Sequence, residues 1–339
     1  MSECLFYFSG LMKIAIVGCG AVGSYYGGML SRAGREVHFL LRSDYDVVRR
    51  NGVRIQSPAG DFVVRPKCAR SPEEIGPSDL IFIGLKTTAN AEFSRLLPPL
   101  VGPKTAIVTL QNGLGNEEQL AKLFPVEQIL GGLCFVCLNR IAPGVIQHLD
   151  HGMIVLGEHR RYPEPRTHEI AGMLRHAGVP CKVSDNLARA HWEKLIWNIP
   201  FNGLGVAGAA GYDALTVPSS TFQVSTQLGP CLTTDKLLSD VRWEQLVREL
   251  MYEVVAVANA DGLGVSDALV EKQIERTRTM GAYKASTLLD FEQGRRLELE
   301  SLFLEPLREA HRAGVATPRL ATLCEMLKQL NSLRSPVSD

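Results

Sequence analysis

The stretch Lys13-Ile14-Ala15-Ile16-Val17-Gly18-Cys19-Gly20-Ala21-Val22-Gly23 decides the fold. Its first five residues form a short apolar, β-branched run that reads as a strand. The six that follow fit G-x-G-x-x-G at a strand-to-helix turn. The first glycine permits the tight turn, the second lets a pyrophosphate approach the backbone, and the third lets helix and strand pack closely. The helix beyond presents unpaired amides and the positive end of its dipole to phosphate. A plain glycine turn is the alternative; the position of the motif at the head of a βαβ unit favours the dinucleotide reading.

Outward from this turn, short apolar runs alternate with helical patterns: Val37–Leu41, Asp79–Lys86, Thr105–Leu110 and Ile129–Cys137. That alternation implies parallel strands with crossover helices. The first helix is expected to stop at Gly34 and strand two to begin near Glu36. Beyond Asn186 the pattern turns helical, with Leu246, Val247, Leu250, Met251, Val254, Val255 and Ala258 at three-to-four spacing before a stop at Gly262. The expected architecture is α/β: a Rossmann domain with a parallel sheet over 12–185, then an all-α domain over 186–332. Residues 1–11 read as an extension and 333–339 as a tail. Val217 to Asp235, rich in Ser, Thr and Gln, reads as an insertion or mobile loop.

Lys plus Arg total 36, matched by 36 Asp plus Glu, so no global field draws in nucleic acid or an anionic membrane. No run approaches the roughly 20 apolar residues of a membrane span. Eight scattered cysteines without an export signal suggest free thiols and a cytoplasmic protein. The partner expected is a small molecule; the oligomeric state stays open between a single chain and a homodimer.

At the tip of strand two a carboxylate ordinarily binds the ribose of NAD, whereas an Arg accommodates the 2′-phosphate of NADP. Here the strand ends at Arg42-Ser43, which favours NADP(H), since a guanidinium matches phosphate in a fork. The alternative leaves Arg42 solvated and gives the ribose to Asp44. Lys86 and Asn112 fall at two further strand ends, where doubly wound sheets bind ligands. Each has a bland reading, as a solvated cation and as part of an Asn-Gly turn.

Lys194, Asn198 and Asn202 lie at i, i+4 and i+8 on one helix face. Around them stand Trp192, Leu195, Ile196, Trp197, Ile199 and Phe201, so the polar stripe crosses an apolar segment. Buried polar groups need partners, and a substrate bearing a carboxylate, a ketone and a hydroxyl would supply them. An exposed edge of an amphipathic helix is the alternative. Pro200 is expected to kink the helix. A second cluster, Ser286-Thr287-Leu288-Leu289-Asp290 followed by Gly294-Arg295-Arg296-Leu297-Glu298, also reads as a charged helix surface.

Together these residues resemble the ketopantoate reductase family from Met12 to about Leu330. The matching landmarks are Gly18-Cys19-Gly20-Ala21-Val22-Gly23, Arg42, Gln111-Asn112-Gly113, the Lys194/Asn198/Asn202 stripe, and Ser286, Asp290, Gly294, Arg295 and Glu298. The resemblance implies NADPH-dependent reduction of 2-dehydropantoate to (R)-pantoate in pantothenate synthesis. It makes Lys194 the general acid and gives substrate binding to Asn198, Asn202 and Ser286. Glu298 would touch substrate and cofactor; Lys86 and Asn112 would contact NADP with the glycine turn. Departures occur at Gly203-Leu204-Gly205, Tyr283-Lys284-Ala285, Ser286-Thr287 and Leu297–Glu300. Rival readings are a reductase of another 2-oxo acid and a non-catalytic dinucleotide-binding regulator. The lone Cys134-Phe135-Val136-Cys137 reads as core, no carboxylate pattern accompanies His148, His151 and His159, and no metal is expected.

Overall fold

The computed structural model of the chain describes residues 12–215 and 227–334. It divides into two compact units, one ending at Ala190 and the other beginning at His191.

The described part of the first unit holds a ten-stranded sheet: β1 (Lys13–Val17), β2 (Glu36–Leu40), β3 (Val53–Gln56), β4 (Phe62–Val64), β5 (Lys67–Ala69), β6 (Ser78–Ile83), β7 (Val101–Thr109), β8 (Ile129–Ala142), β9 (Val145–Glu158) and β10 (Cys181–Val183). Their order is β4-β3-β9-β8-β7-β6-β1-β2-β5, with β10 pairing on β9. From β5 across to β8 every neighbour is parallel. Such strands are covered on both faces and therefore read as apolar without alternation. Ile14, Ile16, Phe39, Leu80, Phe82 and Val108 feed one core, whereas Ala15, Val17, Ile81, Ile83 and Ile107 feed the other.

Beyond β8 the parallel order expected from the sequence is broken at two pairings, while β3 and β10 still lie parallel to β9. β8 runs on for 14 residues and folds back as β9, antiparallel, and β4 is antiparallel to β3. The reason is local. Only Pro143-Gly144 separates the long strands, and Gly144, at φ +69°, occupies the left-handed region that so short a turn requires. The first helix, Ala21–Arg32, stops before Gly34 and β2 starts at Glu36, as the sequence indicates. Its Gly27 lets it lie close to the sheet: a Cβ there would come within 2.6 Å of the Phe39 ring and 2.8 Å of Ile16.

A buried ion pair ties the end of β9 to the helix Pro165–His176. Arg166 donates from Nε to Glu158 Oε1 at 3.0 Å and from Nη2 to Oε2, while the Thr167 hydroxyl also donates to Glu158. Both charged side chains are almost wholly buried. Removing one partner strands the other charge, so Glu158→Ala should lower unfolding free energy by about 3–5 kcal/mol. The double variant Glu158→Leu/Arg166→Leu should lose less. Urea denaturation of wild type and the two variants checks this, and a double-variant loss equal to or greater than that of Glu158→Ala would contradict it.

The described part of the second unit is helical: Leu187–Ala207, which begins in the last residues of the first unit, then Thr234–Ser239, Val241–Ala260, Ala268–Arg278, Ser286–Glu292, Glu305–Arg312 and Pro318–Arg334. In Val241–Ala260 the spaced apolar residues named above are all buried, and Gly262 follows the stop. The helix Leu187–Ala207 continues through Pro200 to Ala207.

The proposed loop Val217–Asp235 needs correction. Residues 217–226, like 1–11 and 335–339, lie outside the described residues. From Gln227 on the chain is tied down. Gly229 donates to the Ala209 carbonyl at 2.8 Å, Leu232 donates to Gly205 at 2.9 Å, and a helix begins at Thr234. Small residues at Gly205 and Gly208 admit Leu232, whose side chain would stand 2.4 Å from a Cβ at Gly208. Leu333 and Arg334, read as tail, are helical.

Candidate functional site

In the first unit four strand ends form one row. Leu40 pairs with Val17, Val17 with Ile83, and Ile83 with Thr109. The residues that follow are Arg42, the glycine turn, Lys86 and Asn112, so the register brings the sequence-predicted nucleotide residues to one carboxyl edge of the sheet.

The three glycines of the turn meet different surroundings. Gly18 has φ +94°, and a Cβ there would lie 2.3 Å from the Leu85 nitrogen. At Gly23 a Cβ would lie 2.2 Å from the Gly18 carbonyl oxygen. At Gly20 nothing stands within 4 Å. The first and third positions are thus closed by the protein's own backbone, and the second opens a cradle into which a diphosphate fits. Gly20 caps the helix Ala21–Arg32, whose N-terminal amides lie beside that cradle. Cys19 contributes through its backbone, its carbonyl accepting from the Ser24 hydroxyl at 2.9 Å. Burial, then Cys68 and Asp44, push the Cys19 thiol well up, which leaves it a packing group rather than a nucleophile.

Arg42 is exposed at the tip of β2. Asp44, the carboxylate that would otherwise take the ribose, is buried and engaged. Arg140 near the end of β8 donates to it from Nε at 3.0 Å and again from Nη2. The Gly144 amide in the hairpin turn donates at 3.1 Å and the Ser43 hydroxyl at 3.0 Å. Burial alone would raise the Asp44 carboxyl, but the Arg140, Gly144 and Ser43 hydrogen bonds outweigh it and hold the group below its usual value.

A run of amides that the sequence reading missed fixes the next two loops. Lys86 caps a 3-10 helix, Thr87–Glu92, that contains Asn90. Thr109 Oγ1 donates to Gln111 Oε1 (2.9 Å), Gln111 Nε2 to Asn90 Oδ1 (2.7 Å), Asn90 Nδ2 to Asn116 Oδ1 (3.0 Å), and Asn116 Nδ2 to the Asn112 carbonyl (3.1 Å). Each amide orients the next, so the Lys86 and Asn112 loops form one polar scaffold.

In the second unit Asn198 and Asn202 are buried and Lys194 is partly buried on the same helix. The flank of the stripe is anchored: the Trp197 indole donates to Thr277 Oγ1 at 2.9 Å and stacks on Phe201 with centroids 5.0 Å apart. The expectation that a substrate would satisfy the whole stripe needs correction. Asn202 Oδ1 already accepts from the Ser286 hydroxyl (3.2 Å) and the Thr287 amide (3.0 Å). The asparagine thereby caps the helix Ser286–Glu292 and sets Ser286 beside the stripe, a meeting that sequence spacing could not supply.

Downstream, Arg295 Nε donates to Asp290 Oδ1 at 2.8 Å and the Leu297 amide to Asn331 Oδ1 at 3.0 Å. Glu298 follows directly, half-buried, just before a π-helical turn over Glu300–Leu304. Single π turns recur at functional positions. The departure at Gly203 has a packing cause: a Cβ there would lie 2.5 Å from Leu323 and 2.9 Å from Phe303. Among the described residues no cluster of three His, Cys, Asp or Glu side chains has metal-holding geometry. No helix among them is long and apolar enough to cross a membrane.

Comparison with known proteins decides the family. The profile described as ketopantoate reductase PanE/ApbA matches residues 14–161, and that of its C-terminal part matches residues 219–331. The chain belongs to the ketopantoate reductase family. It is accordingly an oxidoreductase. Within the family, a 2-dehydropantoate 2-reductase of Nostoc sp. is 37% identical over 94% of this chain and 95% of its own length. A crystal structure of the Geobacter metallireducens 2-dehydropantoate 2-reductase superposes with a TM-score of 0.85 at 45% identity, covering 94% of this chain and 99% of that one. A D-mandelate dehydrogenase solved with NADH and anilino(oxo)acetate shares the fold, with a TM-score of 0.80 at 21% identity over 96% of this chain and all of that one. The glycine cradle agrees with the dinucleotide dependence of this ketopantoate reductase family.

Proposed function

We propose that the chain catalyses NADPH-dependent reduction of 2-dehydropantoate to (R)-pantoate, the step that feeds pantothenate synthesis. The observation that carries this reading is the Lys194/Asn198/Asn202 stripe with Ser286 hydrogen-bonded to its third member. Residues 12–185 hold the nucleotide and 186–332 the substrate. The diphosphate sits in the cradle at Gly20, Arg42 takes the 2′-phosphate, and Lys86 and Asn112 contact the rest of the nucleotide. When bound, the reduced nicotinamide supplies a hydride to the ketone carbon. Lys194 stabilises the negative charge that grows on the ketone oxygen and gives it a proton, a task suited to an ammonium that is protonated at neutral pH. Asn198, the Asn202 amide and Ser286 hold the carboxylate and hydroxyl of the substrate. Glu298 orients substrate and nucleotide together. Seven cysteines among the described residues, all thiols, agree with a cytoplasmic, reducing setting.

The test is nucleotide oxidation, with NADPH and NADH each paired against 2-dehydropantoate and a panel of other 2-oxo acids. We expect kcat/KM for NADPH with 2-dehydropantoate to exceed every other pairing by about ten-fold or more, since a site that hydrogen-bonds the substrate hydroxyl rejects acids lacking it. A higher value with a different 2-oxo acid would replace the substrate. Nucleotide binding without turnover of any acid would remove the enzymatic reading.

A further inference from the structure

We propose that Arg140 is a selectivity-positioning residue: it withholds the Asp44 carboxylate from the ribose, so that the tip of β2 offers the nucleotide a guanidinium and no acid. The proposal rests on the NADP reading above and explains how that preference survives an aspartate two residues beyond Arg42.

Three observations carry it. First, Asp44 stands where the strand tip turns into the helix Tyr45–Asn51, next to the position from which acids ordinarily bind the ribose hydroxyls. Second, its carboxylate is consumed by the fork of Arg140, by the Gly144 amide and by Ser43, and its side chain is 9% exposed. A planar guanidinium gripping both oxygens leaves few lone pairs for a ribose. Third, the hairpin tip that brings Arg140 is itself fastened. The Arg54 amide donates to the Gly144 carbonyl at 2.9 Å, and a Cβ on Gly144 would sit 3.3 Å from the Gly52 carbonyl and from Val48. The acid is therefore held by a rigid element and cannot swing out without breaking the fork.

With the fork gone, Asp44 keeps one hydrogen bond on each oxygen, from the Gly144 amide and the Ser43 hydroxyl, and regains the acceptor capacity that Arg140 held. It then accepts from the 2′-hydroxyl of NADH and repels the 2′-phosphate of NADPH. The experiment measures dissociation constants for both nucleotides by fluorescence in wild type, Arg140→Gln, Arg42→Ala, and the double variant Arg140→Gln/Asp44→Asn. Melting temperatures are recorded for each. In Arg140→Gln, NADH should tighten, NADPH should loosen, and the preference for NADPH should fall about ten-fold or more, the worth of one charge-assisted hydrogen bond. Asp44→Asn in the same background should restore it. A merely structural loss would weaken both nucleotides alike, would not tighten NADH, and would not be reversed by removing the acid. Any of these would overturn the role of Arg140. Arg42→Ala should loosen NADPH alone, and a wild type that prefers NADH would overturn the NADP reading and this proposal with it. Should Arg140→Gln not fold, Arg140→Lys keeps the charge but loses the fork, and the same shift is expected in smaller measure.

Discussion

Lys194→Ala should lower kcat by about 10²–10⁴-fold, the range contributed by a positioned general acid. KM for the oxo acid and the nucleotide dissociation constants should change far less. The reasoning begins with the helix. Trp197 and Phe201, on the flank of the stripe, hold the helix through Thr277 and stacking, and these anchors remain when Lys194 is truncated and its ammonium removed. The oxyanion then develops without a donor. Pre-steady-state and steady-state oxidation of NADPH with 2-dehydropantoate, at matched melting temperature, measures the loss. Small primary amines added to the variant should recover part of the rate, with a pH dependence that follows their protonation. Turnover equal to wild type would take Lys194 out of the chemistry.

A second large effect separates the glycines of the turn. Gly20→Ala should leave the melting temperature almost unchanged, because a Cβ there meets nothing within 4 Å. It should still weaken nucleotide binding by about 30-fold or more, because the methyl occupies the space the diphosphate needs, at the loss of one or two charge-assisted hydrogen bonds. Gly23→Ala should do the reverse. Its methyl would press on the Gly18 carbonyl 2.2 Å away, and neither backbone can retreat without parting helix from strand. The expected loss of unfolding free energy is about 3 kcal/mol or more, at the upper end for overpacking. Gly18→Ala adds left-handed strain to a similar clash. Calorimetry and nucleotide titration on the three variants test the division. A destabilised Gly20→Ala, or a Gly23→Ala as stable as wild type, would contradict it.

What the sequence made legible was what local pattern can carry. The β-branched run before Gly18 and the alternation beyond it located β1, β2, β6 and β7, because parallel strands buried on both faces carry unbroken apolar runs. The polar stripe was legible because helical spacing alone puts Lys194, Asn198 and Asn202 on one face. The hairpin β8/β9 was not, since neither long strand alternates cleanly and Pro143-Gly144 is not one of the dipeptides that mark a two-residue hairpin. Contacts between distant residues were equally hidden. Ser286 meets Asn202 across 84 positions and Arg140 meets Asp44 across 96, and no periodicity within either segment encodes such a meeting. The amides of Asn90 and Asn116 belong to the same class: each looks like an ordinary loop residue until the row of strand ends is assembled.

The hairpin tip carries a practical lesson for anyone who transplants loops between relatives. In this chain the turn after β2 shares its acid with Arg140 and Gly144, so a graft of residues 41–45 alone would import a foreign side chain onto a clasp shaped for Asp44. The exchangeable module is the turn together with residues 140–144, two segments nearly a hundred residues apart that must travel as a pair.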